Sequence, residues 1–83
     1  MTIEGVVRSF DRAEGWGVID APELPGGCLV HFSRIVGSGY RDLNEGELVV
    51  LTFERPGFNQ DGYDYTALQV WPIVRSPHPV EPL

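Results

Sequence analysis

The chain has 83 residues, 42% hydrophobic and 22% charged, proportions ordinary for a globular domain and a length that allows only one. Six arginines and no lysine stand against twelve carboxylates, a net charge of −6. That balance excludes a generally basic nucleic-acid binder, though not one that relies on stacking and a local basic strip.

Glycine and proline set the element lengths. The longest stretches free of both are 6–14, 28–36, 47–55 and 63–71, nine residues each. An average helix of about 11–12 residues has no room, whereas strands of about 5–8 residues fit every gap. In chain order, Ile3 to Phe10, Gly15 to Ala21 and Cys28 to Phe32 are rich in β-branched and aromatic residues and end at turn residues. Ser33 to Leu43 is a longer connection with Gly37 and Gly39, opening with a single 3₁₀ turn, and Asn44-Glu45-Gly46 is a tight turn. Glu47 to Glu54 alternates, with Val49, Leu51 and Phe53 on one face and Leu48, Val50 and Thr52 on the other. Arg55 to Gly62 is a loop, and Tyr63 to Trp71 is a fifth strand. The prolines that follow predict an extended tail over 73–83, after a domain spanning 1–72. The fold class is therefore all-β, and five short strands in one domain predict a closed barrel, because closure removes exposed edges.

Several function classes are disfavoured. No run of about 18 apolar residues exists to span a membrane, and Met1-Thr2-Ile3-Glu4 lacks the basic and apolar regions of a signal peptide, so a cytoplasmic location is expected. Cys28 is the only cysteine, so there is no internal disulfide and no Cys/His set for zinc. It reads as a small buried hydrophobe. His31 and His78 are far apart, and no phosphate loop, metal spacing or nucleophile motif is present. Neither an enzyme nor a cofactor is expected.

Four segments occur in order: Gly5-Val-Val-Arg-Ser-Phe-Asp11, Glu14-Gly-Trp-Gly-Val-Ile19, Leu29-Val-His-Phe-Ser33 and Gly39-Tyr-Arg-Asp-Leu-Asn-Glu-Gly46. Together they resemble the cold-shock domain over roughly residues 3–72. Glu14 to Ile19 is similar to the family's first ribonucleoprotein motif, Lys-Gly-Phe-Gly-Phe-Ile, and Cys28 to Phe32 to its second, Val-Phe-Val-His-Phe. The resemblance implies a five-stranded antiparallel OB-fold barrel that binds single-stranded RNA or DNA. Carried over by position, the family's stacking surface falls on Ser9, Phe10, Trp16, Val18, Leu29, His31, Phe32 and Tyr40. Ser9 stands where the family has tryptophan, Val18 and Leu29 where it has phenylalanine, and Glu14 where it has lysine. Arg8 keeps the basic residue of the first strand.

Strand alternation supports this assignment independently. It turns Trp16, Val18, Leu29 and His31 outward and Gly17, Ile19, Cys28 and Val30 inward. Gly15 and Gly17 leave the sheet open to a base, and exposed aromatics on neighbouring strands form a stacking platform. Phe10 and Phe32 fit either the platform or the rim of the core. Tyr65 and Trp71 fit packing or edge cover. Arg8, Arg12, Arg34 and Arg41 flank the aromatics and are candidates for phosphate contact or simple solvation. The nucleic-acid site is accordingly expected at Arg8, Phe10, Trp16, Val18, Leu29, His31, Phe32, Tyr40 and Arg41. The leading function is an RNA or DNA chaperone, or a regulator of transcript structure. The alternative is a protein-interaction module with weakened nucleic-acid affinity, a homodimer included, drawn from the acidity, Glu14 and outward apolar Leu29, Leu48 and Val50.

Overall fold

The computed structural model describes residues 1–37, 42–55 and 62–73. Five strands occupy the segments expected of them: β1 (Ile3–Asp11), β2 (Trp16–Asp20), β3 (Cys28–His31), β4 (Leu48–Glu54) and β5 (Tyr65–Pro72), with a 3₁₀ turn at Phe32–Arg34. They close into a barrel in the order β1-β2-β3-β5-β4. Five strands cannot alternate direction all the way round a ring, because the number is odd. One seam has to run parallel, and it is β3·β5, where Cys28 faces Tyr65 and Leu29 faces Thr66. At that seam the antiparallel expectation gives way, while the other pairings are antiparallel.

β1 serves two neighbours. Ile3 to Val6 pair with β4 and Val6 onward with β2. Burial alternates from Ile3 to Val7, with Ile3, Gly5 and Val7 inside. The register then shifts: Val7 faces Ile19 but Ser9 faces Val18. Arg8 is the extra residue of a β-bulge, so Arg8 and Ser9 both lie on the outer side and Phe10, opposite Gly17, returns to the inner side. The bulge is tied to the turn before β4, since Val7 N–H donates to Glu47 O at 2.9 Å and Gly46 N–H to Val7 O at 2.8 Å. That turn closes through Glu47 N–H to Asn44 O at 3.0 Å, with Gly46 at φ +85° in the left-handed region.

The inward rows meet in one core that includes Val7, Ile19, Val30, Val49, Leu51 and Val70. Leu24, Ile35 and Leu43 join it from the connections, and Phe10, Phe53 and Tyr65 pack against it. Phe53 and Tyr65 meet edge to face at 5.9 Å, and the Arg55 guanidinium lies 5.7 Å from the Tyr65 ring centre, so Tyr65 is a packing residue. Cys28 is fully buried in the same cluster, and burial pushes its thiol up to about 12, which leaves it inert as a nucleophile. The tail beyond Ile73 and most of the β4–β5 loop lie outside the described residues.

Candidate nucleic-acid interface

The outer face of β1, β2 and β3 carries a row of rings. Trp16 and His31 are directly opposite each other across the β2·β3 seam, with ring centres 4.5 Å apart and planes inclined by 59°. Phe32 continues the row, 4.6 Å from His31 at 47°, and is 43% exposed. His31 is held by its own turn: Ser33 N–H donates to Nδ1 at 3.3 Å and Ser33 Oγ lies 2.8 Å from the same atom. With Nδ1 accepting, the neutral imidazole carries its proton on Nε2.

The glycines of the first motif make room for the protein's own rings rather than directly for a base. A Cβ on Gly15 would lie 2.7 Å from Phe32 Cδ1, and the φ of +78° there is one that side chains rarely adopt. Phe32 N–H also donates to Gly15 O at 2.8 Å. A Cβ on Gly17 would lie 2.5 Å from Phe10 Cδ1 and 2.6 Å from Ser9 O. Phe32 is thus seated on Gly15 as a surface ring. Phe10 is seated on Gly17 as a rim ring packed against the core, which resolves the two readings left open for each.

Val18 and Leu29 face outward, paired with one another, yet they are only 7% and 5% exposed. The outward orientation expected from alternation holds, but their neighbours cover them. Gly27 of the β2–β3 connection lies close over Val18 and beside the Arg8 guanidinium of β1, for a Cβ on Gly27 would lie 2.9 Å from Val18 Cγ1 and 2.8 Å from Arg8 Nη2. The two aliphatic side chains form the floor of an open groove of about 490 Å³, with Trp16 and Tyr63 also on its surface. Leu29 therefore contributes nothing to an exposed apolar patch.

Tyr63 was not anticipated as a groove residue. The available signal is its place just ahead of β5, the strand that closes against β3. In the parallel register set by Cys28 and Tyr65, a residue two before Tyr65 falls beside the β2–β3 connection.

The arginines are largely committed. Arg8 donates from Nε and Nη2 to the Asp20 carboxylate at 3.0 and 2.6 Å and from Nη2 to Gly26 O at 3.3 Å. The hydrogen bond from Arg8 holds the Asp20 carboxyl below its usual range, and the Arg8 guanidinium is correspondingly shifted up. Arg12 donates to Asp42 and, at 2.7 Å, to Asn44 Oδ1. Both pairs are internal contacts in competition with phosphate. Arg34 ends the 3₁₀ turn and is exposed. Tyr40 and Arg41 lie outside the described residues. Among the described residues, no group of three or more His, Cys, Asp or Glu is placed to hold a metal ion, and no helix is long and apolar enough to cross a membrane.

Comparison with known proteins bears on this face. Residues 3–71 match the family model described as the 'Cold-shock' DNA-binding domain. The chain is similar to the cold shock-like protein CspE of Bacillus anthracis, 41% identical over 56 residues that cover 65% of this chain and 79% of the relative. It is also similar to the cold shock-like protein CspB of Yersinia pestis, 37% identical over 51 residues, 61% of this chain and 73% of the relative. The major cold shock protein CspA of Bacillus cereus is 37% identical over 54 residues, 65% of this chain and 79% of the relative. With a closed five-stranded barrel and both ribonucleoprotein-like segments side by side on β2 and β3, the chain belongs to the cold-shock domain family.

Proposed function

We propose that this protein binds single-stranded RNA or DNA on the outer face of β1, β2 and β3 and acts as a nucleic-acid chaperone or regulator of transcript structure. The observation that carries the reading is the continuous ring row Trp16, His31 and Phe32 on an accessible sheet face. Unstacked bases lie against such rings with little regard for sequence, because every base has a π-face. A strand held there is unavailable for pairing, so binding disfavours hairpins. Acting on transcripts implies a cytoplasmic site of action.

Affinity comes mainly from stacking in this account. Arg8 and Arg12 are engaged by Asp20 and Asp42, so phosphate attraction is weak. The direct test adds the protein to a fluorophore- and quencher-labelled RNA hairpin and to a heptameric single strand. Binding of the heptamer with opening of the hairpin supports the reading. Failure to bind either removes it.

A second reading, a protein-interaction module or homodimer, is favoured by one observation. Val6 and Leu48 face each other on the β1·β4 seam at 41% and 38% exposure, with Ile73 at 36%. Sedimentation at rising concentration distinguishes it: a mass that stays monomeric leaves that face without a self-contact.

A further inference from the structure

His31 is fixed in the ring row by hydrogen bonds as well as by ring contact. It ends β3 and caps the 3₁₀ turn at Phe32–Arg34, where its side chain accepts from Ser33 N–H. That bond is 3.3 Å long, and Ser33 Oγ stands 2.8 Å from the same Nδ1. An amide N–H only donates, so Nδ1 carries no proton of its own and the Ser33 hydroxyl donates to it as well. Stacking makes no use of Ser33.

The tilt of the rings decides which part of His31 a bound strand meets. Its plane is inclined by 59° to Trp16 and by 47° to Phe32, with ring centres 4.5 and 4.6 Å away. A base stacked flat on Trp16 or on Phe32 therefore meets a steeply tilted imidazole rather than its face. Nδ1 and Nε2 stand on either side of one ring carbon, so anchoring Nδ1 on the turn directs the Nε2–H bond away from Ser33. Among the described residues no group accepts from Nε2; both hydrogen bonds of the ring are on Nδ1. His31 is half-buried, so a strand lying over the rings takes water away from that N–H. A donor stripped of water is penalised unless an acceptor replaces it.

We infer that Ser33 is a positioning residue, which sets the tautomer and orientation of His31 so that its Nε2–H donates a hydrogen bond to an acceptor oxygen of the bound strand. The inference rests on the nucleic-acid reading above and gives His31 a role other than stacking. The oxygen belongs to a phosphate or to a base carbonyl. Arg8 and Arg12 have acidic partners, so a neutral donor supplies a polar contact that those cations do not. It also displaces no counterion, so the contact adds nothing to the salt dependence.

The test uses the full chain at about pH 9, above the ordinary histidine range, with heptamers of thymidine and of deoxyadenosine. His31→Phe keeps a ring and loses the donor, and should weaken binding of the thymidine heptamer by about 2- to 12-fold, the net worth of one hydrogen bond. Ser33→Ala removes an exposed hydroxyl, so the variant should fold. It should weaken binding by up to the same factor in the native background and not at all in the His31→Phe background. Ser33→Thr, which keeps a hydroxyl, should bind like the native protein. Imidazole nitrogen NMR of the free protein should show Nδ1 unprotonated, and Ser33→Ala should shift it toward the protonated form. A His31→Phe loss of equal size on both heptamers places the acceptor on the backbone. A loss confined to thymidine places it on a base, since adenine has no carbonyl; either result supports the inference. Undiminished binding by His31→Phe, a Ser33→Ala loss that persists in the His31→Phe background, or a protonated Nδ1 in the native protein overturns it while leaving the binding function intact. Native protein that binds neither heptamer overturns the binding function, and this role with it.

Discussion

The barrel has two outer faces that share β1 and differ in chemistry. On β1, β2 and β3 the outward row is Trp16, His31 and Phe32 beside an aliphatic floor. On β1, β4 and β5 it includes Val6, Leu48 and Ile73. Both expose apolar surface, so exposure alone does not tell them apart. What separates them is that the first carries rings in contact with one another, with Phe32 seated on Gly15, whereas on the second, among the described residues, the ring of Trp71 opposite Val50 stands among aliphatic side chains. A π-face binds bases, while aliphatic surface binds whatever excludes water from it. The comparison teaches that function follows the type and spacing of the exposed groups.

The contrast is open to attack by substitution. The largest effect is expected for Gly17→Ala. Its Cβ meets Phe10 and, at 2.6 Å, the Ser9 carbonyl, and backbone yields less readily than a side chain. Chemical denaturation should show a loss of about 3 kcal/mol, the upper range for overpacking. A loss under about 1 kcal/mol would mean that the β1·β2 approach is looser than described.

Trp16→Ala should weaken binding of a single-stranded heptamer by about 1–3 kcal/mol, the contribution of one stack, or about 5–100-fold. The thermal midpoint should fall only slightly, because Trp16 lies outside the core cluster. A large fall in midpoint with unchanged affinity would recast Trp16 as structural and move the binding face elsewhere. On the opposite face, Leu48→Ser should leave heptamer affinity unchanged and alter stability by about 0.5 kcal/mol or less, as for exposed positions generally. Loss of binding in that variant would erase the distinction between the faces.

Electrostatic effects are smaller and have a defined sign. The slope of log affinity against log salt should be no steeper than about −3, at ~0.7 per phosphate contact, because Arg8 and Arg12 already have acidic partners. Asp20→Asn should steepen it by about 0.7 as Arg8 is released to phosphate. The Asp20 carboxyl titrates below its ordinary 3.8 in the folded protein. The Arg8–Asp20 contribution to stability is therefore present above that value and lost as the pH falls through the lowered one. Acid titration of Asp20→Asn should lack this component.

Much of the barrel is legible in the residues. The run Glu47 to Glu54 states its alternation openly, and Val49 and Leu51 are buried while Leu48 is exposed. Trp16 and His31 are placed together because two strands of opposite direction join through a short connection. The bulge is harder to see: nothing in Val7-Arg8-Ser9 announces an extra residue, yet it turns Phe10 inward and puts Arg8 beside Asp20. The ion pairs depend on that three-dimensional placement, with Arg8 and Asp20 twelve positions apart and Arg12 and Asp42 thirty. Tyr63 likewise reaches the groove only once the parallel β3·β5 seam has formed. The burial of Val18 and Leu29 depends on neighbours folding over them, which strand alternation does not encode.

The most direct test of base stacking on this face is the fluorescence of Trp16 in a Trp71→Phe background, titrated with a single-stranded heptamer. Trp71 is the only other tryptophan and lies on β5. Stacking predicts saturable quenching whose midpoint matches the affinity measured by an independent method. Binding by that independent method with no change in Trp16 emission would contradict the account, because the strand would then lie somewhere other than on this face.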